Sequence, residues 1–330
     1  MRRLKMADIA ELAGVSVSTV SRSLAGSSLI PQIMREKIEA IAKANGYVVN
    51  QAARMLRLQT TRTISIVLPA GAQTGQKIAD PFLLEMTDVV SQAVFDQGYD
   101  ILLTKVDASH PGWLNDLVRS NRVDGVLLLA QNDMHDLMDE MAARSLPVVV
   151  WGQKRPRQSY CSVGVDNVLG GELATSHLIE TGRRHIVFMG SLGVPEIDNR
   201  YEGYCRAMKR AKLKPRHVDC GFSHDSAVVS MQTLLESSAK FDAIFAASDV
   251  VAHGAKIAFT KHGGSVPDDC AFVGFDDVAM ARHLTPPLTT VRQPLKDAAQ
   301  IMVDLLLRRI EGEQTASIVL DPELVVRETA

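Results

Sequence analysis

The chain has 330 residues, 46% of them hydrophobic and 22% charged, with a formal net charge of −2. This length and composition point to two or three domains of an ordinary globular protein, too long for a single core. No apolar run reaches the roughly eighteen residues of a membrane span, and the opening MRRLKMAD lacks the apolar stretch of a signal peptide, so a cytoplasmic protein is expected.

The net charge conceals an asymmetry. Residues 1–62 hold ten basic and four acidic side chains, a net +6, which leaves −8 for the remainder. A basic head on an acidic body is the footprint of a nucleic-acid-binding module joined to something else. The four cysteines, Cys161, Cys205, Cys220 and Cys270, form no CxxC pair and read as reduced thiols.

The first elements lie in MADIAELAGVSVSTVSRSL, Met6 to Leu24. Apolar or small residues at Ile9, Ala10, Ala13, Val15, Val20 and Leu24 suit two short helices packed face to face. Gly14 breaks the first of them, and Ser16 stands where the second needs an N-cap, its hydroxyl placed to accept from the N–H of Ser18 or Thr19. Burial of Val20 and Leu24 leaves Val17, Ser18, Ser21 and Arg22 outward. Short side chains beside one arginine fit a major groove, where a guanidinium can donate twice to a guanine edge. A third helix is expected to begin near Pro31 at its first position, with Ile33, Ile38, Ile41 and Ala42 covering the other two, and to stop at Asn45-Gly46. The run Asn50 to Arg57 is helix-prone, capped by Asn50, and too short to persist alone in water.

From Ile64 the pattern becomes strand–helix alternation. Buried strands are expected at 64–70, 100–104, 123–129 and 147–151, with a helix from Asp80 to Gln97 stopping at Gly98. A second series from about Val163 places strands at 185–190, 242–248 and 270–276, and helices from Asp166, Glu196, Ser226 and Asp249. Two such series mean two doubly wound lobes of parallel sheet, whose ligands bind beyond the carboxyl ends of the strands. The cleft between lobes is the default site.

Catalytic signatures do not emerge. There is no GxGxxG after a strand, GAQTGQK at 71–77 lacks P-loop spacing, and GSLG at 190–193 is not a nucleophile elbow. His217, Cys220 and His224 lack a second ligand pair for a metal. The chain is therefore expected not to be an enzyme and to need no metal or cofactor.

The runs DIAELAGVSVSTVSRSLAG, REKIEAIAKANGYVVN and NQAARMLR resemble the lactose/galactose/purine-repressor (LacI/GalR) family of bacterial transcription regulators, and the similarity continues along the whole chain. The resemblance implies a small all-α helix-turn-helix head (1–49), a hinge helix and linker (50–62), and an α/β body of two lobes like periplasmic binding proteins (63–330). It puts lobe 1 at about 63–163 and 291–319 and lobe 2 at about 164–290 and 320–330, with crossings near Val163, Thr290 and Leu320. By the same resemblance Val17, Ser18 and Arg22 face bases, and Ser16, Thr19 and Ser21 lie near phosphates. Ala53 and Leu56 occupy minor-groove hinge positions, Leu56 as the wedge that kinks a central base step. Such a wedge needs two hinges, hence a homodimer on a pseudo-palindromic operator. The head departs from the family at Lys5, where a capping Thr is usual, at Pro31 and Met34, where hydroxyl residues are common, and at Val49, which stands for a Pro.

For the effector, Arg200, Ser248 and Asp249 fall in segments matching family pocket positions. Asp276 ends a strand with a carboxylate able to accept two sugar hydroxyls. By the same resemblance Asp80 and Phe82 open the first body helix near the cleft and Phe222 takes an aromatic pocket position, while Trp151, at a strand end, offers an aromatic face to the C–H face of a pyranose. The implied function is effector-controlled transcriptional repression. The effector is expected to be a mono- or disaccharide, with a purine as the alternative. A sugar-binding receptor without DNA function is a further alternative.

Overall fold

The computed structural model describes residues 4–24, 27–47, 60–70, 79–107, 112–113, 117, 122–129, 135–143 and 146–330, and the chain divides into two compact units, Met1–Thr61 and Arg62–Ala330. The stretch from Asn50 to Arg57, with Ala53 and Leu56, and residues 71–77 lie outside these residues.

The first unit holds three helices, α1 (Met6–Ala13), α2 (Val17–Leu24) and α3 (Gln32–Ala44). Gly14 ends α1 at φ 69°, a left-handed conformation that costs a residue with a Cβ roughly 1 kcal/mol or more. Ser16 then caps α2, its Oγ accepting from the Thr19 N–H at 3.1 Å. Ile9, Ala10, Ala13, Val20 and Ile38 form the core. Three details depart from expectation. Ile33 is 84% exposed, because it lies on the face of α3 opposite Ile38 and Ala42. Leu24 is only half-buried, and Ser23 instead joins the buried face of α2. Pro31 is the N-cap of α3 rather than its first residue.

The second unit carries β1 (Thr63–Ala70), α4 (Pro81–Asp96), β2 (Asp100–Asp107), β3 (Gly125–Leu129), α5 (His135–Ala143), β4 (Val148–Trp151) and β5 (Cys161–Val165). There follow α6 (Asn167–Glu180), β6 (Ile186–Met189), α7 (Pro195–Arg210), β7 (His217–Val218), α8 (His224–Glu236), β8 (Ala243–Ala246), α9 (Asp249–Lys261) and β9 (Ala271–Asp276). A 3₁₀ helix (Ala279–His283), β10 (Thr289–Arg292), α10 (Leu295–Ile310), β11 (Ile318–Leu320) and β12 (Glu323–Val325) complete it.

The strands form two six-stranded sheets, ordered β11-β5-β4-β3-β1-β2 and β12-β10-β9-β8-β6-β7. All pairings are parallel except β10 with β12. Each sheet is buried on both faces, as two separate apolar clusters per lobe show, and this is why the central strands read as unbroken apolar runs. The exception is β2, whose Ile101 and Leu103 are 38% and 52% exposed. It is an edge strand, so its outward face lacks the cover that its apolar sequence suggested.

Strand pairing places the three expected crossings one or two residues further along the chain. Val165 pairs with Leu320 in the first sheet, and Arg292 pairs with Asp276 in the second. The chain thus leaves lobe 1 after Val165 and returns to it after Arg292. Its last passage to lobe 2 lies between Leu320 and Glu323.

Candidate functional site

On the first unit, Ser16, Val17, Ser18 and Arg22 are exposed, whereas Thr19 and Ser21 are half-buried. The Ser16 Oγ lies 2.8 Å from the hydroxyls of both Ser18 and Thr19. Three hydroxyls thus gather at the N-terminus of α2, where the helix dipole favours an anion such as a phosphate. Val17 is 47% exposed, an apolar side chain held out of the core. The face has the form of a surface that enters a groove: small, polar, and with one long cation at its end.

In the second unit a cavity opens between the lobes. Its walls are the carboxyl ends of the strands and the starts of the helices that follow, the place a doubly wound sheet reserves for ligands. Asp80, Phe82, Trp151, Arg200, Phe222, Ser248 and Asp276, named above from sequence, all line it.

Each is held by identifiable chemistry. Asp80 is the N-cap of α4, accepting from the N–H groups of Phe82 and Leu83 at 3.0 and 3.3 Å. Ser248 caps α9 by accepting from Val251 N–H at 3.3 Å. Trp151 ends β4 and belongs to the apolar core of lobe 1, with its ring 6.3 Å from that of Phe82. Phe222 packs against the core of lobe 2. The aromatic walls therefore come one from each lobe.

The polar centre is Arg200 with Asp276. Arg200 sits on α7 where the helix crosses α6 so closely that a Cβ on Gly171 would fall 2.1 Å from the Arg200 carbonyl oxygen. That approach sets the depth of the guanidinium, which is 6% exposed and stacks on Phe275 at 3.6 Å. Its Nε donates to Asn167 Oδ1 at 2.8 Å, its Nη1 donates to the Ala247 carbonyl, and Nη1 lies 3.8 Å from Asp276 Oδ1. Asp276 also accepts from Gln293 Nε2 at 2.7 Å. Burial pushes its carboxyl up to about 7, with Arg200 pulling the other way and Asp80 and Glu85 adding to the rise. Burial likewise lowers Arg200 from its ordinary range, against the pull of Asp276 and Glu196.

Asp249 is the exception among the expected effector residues. It is wholly buried behind the cavity wall, where its carboxylate accepts from Val278 N–H at 2.9 Å and from the Thr290 hydroxyl. It fastens the start of α9 to β10 and to the turn after β9, and burial holds its carboxyl well above the usual range. Next to Ser248 in sequence, it faces the opposite way because an N-cap and the first helical residue diverge.

Several lining residues escaped sequence reasoning: Asn167, Val194, Glu196, Ile197 and Gln293. Glu196 stands four residues before Arg200 on α7, on one helical face, a spacing that gives it away in retrospect. Asn167 and Gln293 had no such mark. Hydrogen bonds that cross between the lobes include Asn167 Nδ2 to Gln153 Oε1 at 3.2 Å, Gln153 N–H to Glu196 Oε1 at 3.4 Å and Ala279 N–H to Glu85 Oε1 at 2.6 Å. Among the described residues no group of three or more metal-ligating side chains occurs, and no helix is long and apolar enough to cross a membrane.

Comparison with known proteins follows the same division. The family model for bacterial regulatory proteins of the lacI family matches residues 5–50, and that for a periplasmic binding protein-like domain matches residues 175–330. The HTH-type transcriptional regulator CelR of Thermobifida fusca is 35% identical over 338 residues, covering 99% of this chain and 98% of that protein. The ribose operon repressor of Haemophilus influenzae is 33% identical over 332 residues, covering 98% of each. Among solved structures, the CelR–cellobiose complex superposes with a TM-score of 0.72 at 32% identity, over 99% of this chain and 100% of that one. With similarity of this extent along its whole length, the chain belongs to the lacI family of bacterial regulatory proteins and is a DNA-binding regulator of transcription.

Proposed function

We propose that the protein is a homodimeric transcriptional repressor whose operator affinity is set by a neutral mono- or disaccharide held between the lobes. The observation that carries this reading is the inter-lobe cavity, where Arg200 and Asp276 meet two aromatic walls. Carboxylate, guanidinium and amide groups match the vicinal hydroxyls of a sugar, and Trp151 or Phe222 matches its apolar ring face. Among the described residues of the lining, Asp80, Glu196 and Asp276 bring carboxylates while Arg200 is the one cation, already engaged by protein partners, which disfavours phosphorylated sugars. The relatives support the same class: one is named for the ribose operon and one is solved with cellobiose.

In this reading the lining residues bind and the chain performs no catalysis. Asp80, Phe82, Trp151, Arg200, Phe222, Ser248 and Asp276 contact the effector. Val17, Ser18 and Arg22 read bases, Ser16, Thr19 and Ser21 lie at phosphates, and Ala53 and Leu56 act in the minor groove. The effector changes DNA affinity by its difference in affinity for two lobe arrangements, the only source from which such a change can come.

The test is a thermal-shift screen of the full chain against neutral sugars, sugar phosphates and purine bases. A neutral sugar should raise the melting temperature of the wild type and not that of Arg200→Ala. A shift produced only by a purine base or a phosphorylated sugar overturns the effector class.

A further inference from the structure

The carboxylate that faces the effector is joined directly to the chain's crossing between lobes. Asp276 ends β9 and Asp277 follows it, on consecutive positive-φ backbone conformations of 114° and 55°. Asp276 faces the cavity and accepts from Gln293 Nε2 at 2.7 Å. Asp277, 7% exposed, accepts from Arg292 Nε at 2.8 Å and from Arg327 Nη2. Arg292 and Gln293 are themselves consecutive, the last residue of β10 and the first of the two-residue connector into α10. Two adjacent aspartates of lobe 2 thus hold two adjacent residues at the crossing, like rungs of a ladder.

The connector has little slack. Gln293 N–H approaches the Asp276 carbonyl at 3.5 Å, and its own carbonyl accepts from Leu295 N–H at 2.8 Å at the start of α10. Helix α10 packs in the core of lobe 1 through Ala298, Ala299, Met302, Val303 and Leu306. Gln293 also lines the cavity. An effector hydroxyl that donates to Asp276 Oδ1 competes with Gln293 for the same acceptor, while the second rung, Arg292 with Asp277, lies out of the effector's reach.

We infer that Gln293 is the positioning residue through which occupancy of the cleft is passed to the crossing between lobes. It acts by exchanging its bond to Asp276 for the effector's. Arg292 with Asp277 is the fixed pivot about which the connector turns. This rests on the effector reading above, and deepens it by assigning a route.

Cellobiose is the probe, with a duplex that the full-length protein selects from a randomised palindromic pool. Gln293→Met keeps the length and removes the donor. It should bind cellobiose more tightly than wild type, because nothing then competes for Asp276, while the ratio of operator Kd with and without cellobiose collapses to within twofold of one. Arg292→Met should reduce that ratio as well, although Arg292 does not line the cavity. Wild-type ratios in both variants overturn the inference, as does a loss of cellobiose binding beyond tenfold in Gln293→Met, which would make it a plain ligand contact. A second arm uses no sugar: Gln293→Met, Asp276→Ala and the double variant are compared for operator affinity. The rung predicts shifts of one sign and a double no larger than the greater single; additive shifts overturn it. Arg200→Ala separates the two readings, because undiminished cellobiose binding there moves the effector site elsewhere whatever Gln293 does.

Discussion

Arg200 and Asp276 carry opposite charges into one buried place, and their energetics are tied to pH. Asp276 titrates near 7 in the folded chain, above its ordinary value of 3.8. Between those values the folded state holds the proton and the unfolded state has lost it. Stability from this group is therefore greatest at low pH and declines as pH rises toward about 7. Asp276→Asn should flatten that part of a stability–pH profile followed by urea unfolding. Binding has the opposite sign. A sugar hydroxyl that donates to the ionised carboxylate favours loss of the proton, so effector affinity should rise from pH 6 to 8 and level off above. Calorimetry in buffers of different ionisation enthalpy should show proton release near neutral pH, and uptake would contradict the arrangement. Asp249 makes the contrast. Buried and bonded to Val278 and Thr290, it should cost about 3 kcal/mol on replacement by Ala, since two buried donors lose their acceptor. Yet the stable fraction should bind effector normally.

Element by element, the head illustrates how little sequence is needed to place a reading helix. Ser16 caps α2 and gathers the hydroxyls of Ser18 and Thr19. Ser16→Ala should lower the stability of the head by about 1 kcal/mol and weaken DNA binding without changing which duplex is preferred. Arg22 is exposed, and Arg22→Ala should leave the melting temperature unchanged while preference for the selected duplex over a scrambled one is lost; retention of preference in a competition assay would remove it from base reading. Edge strand β2 shows the opposite limit. Its apolar run reads as a core strand, and only the sheet order reveals that it has a neighbour on one side alone.

Across the whole molecule, the charge split and the two parallel sheets place DNA recognition and ligand recognition in separate folded units, and the proposed function needs them linked. The +6 head predicts a steep salt dependence: operator affinity should fall linearly in log–log form as salt rises, and the sugar should shift the line without changing its slope. A changed slope would mean that the effector alters the phosphate contacts themselves. The Leu56 wedge is tested separately, by loss of bending in a permutation gel with Leu56→Ala.

What local sequence carried was the order of elements and the residues at their ends. Period, caps and β-branched runs are set by neighbours a few residues apart, so α1 to α3, seven strands, and the strand-end residues Trp151 and Asp276 were legible along the chain, whereas Arg200 and Ser248 were marked by family resemblance. What pairing and packing settled was everything that depends on distant partners. Strand register placed the crossings one or two residues further along the chain, because Val165 finds Leu320 and Arg292 finds Asp276. Asp249, one position from a cavity residue, turned into the interior to hold β10, whereas Gln293, in a segment read only as a crossing, was brought against Asp276. A carboxylate in sequence has no direction. Burial, and the donors that fold around it, decide whether it greets a ligand or holds the structure together.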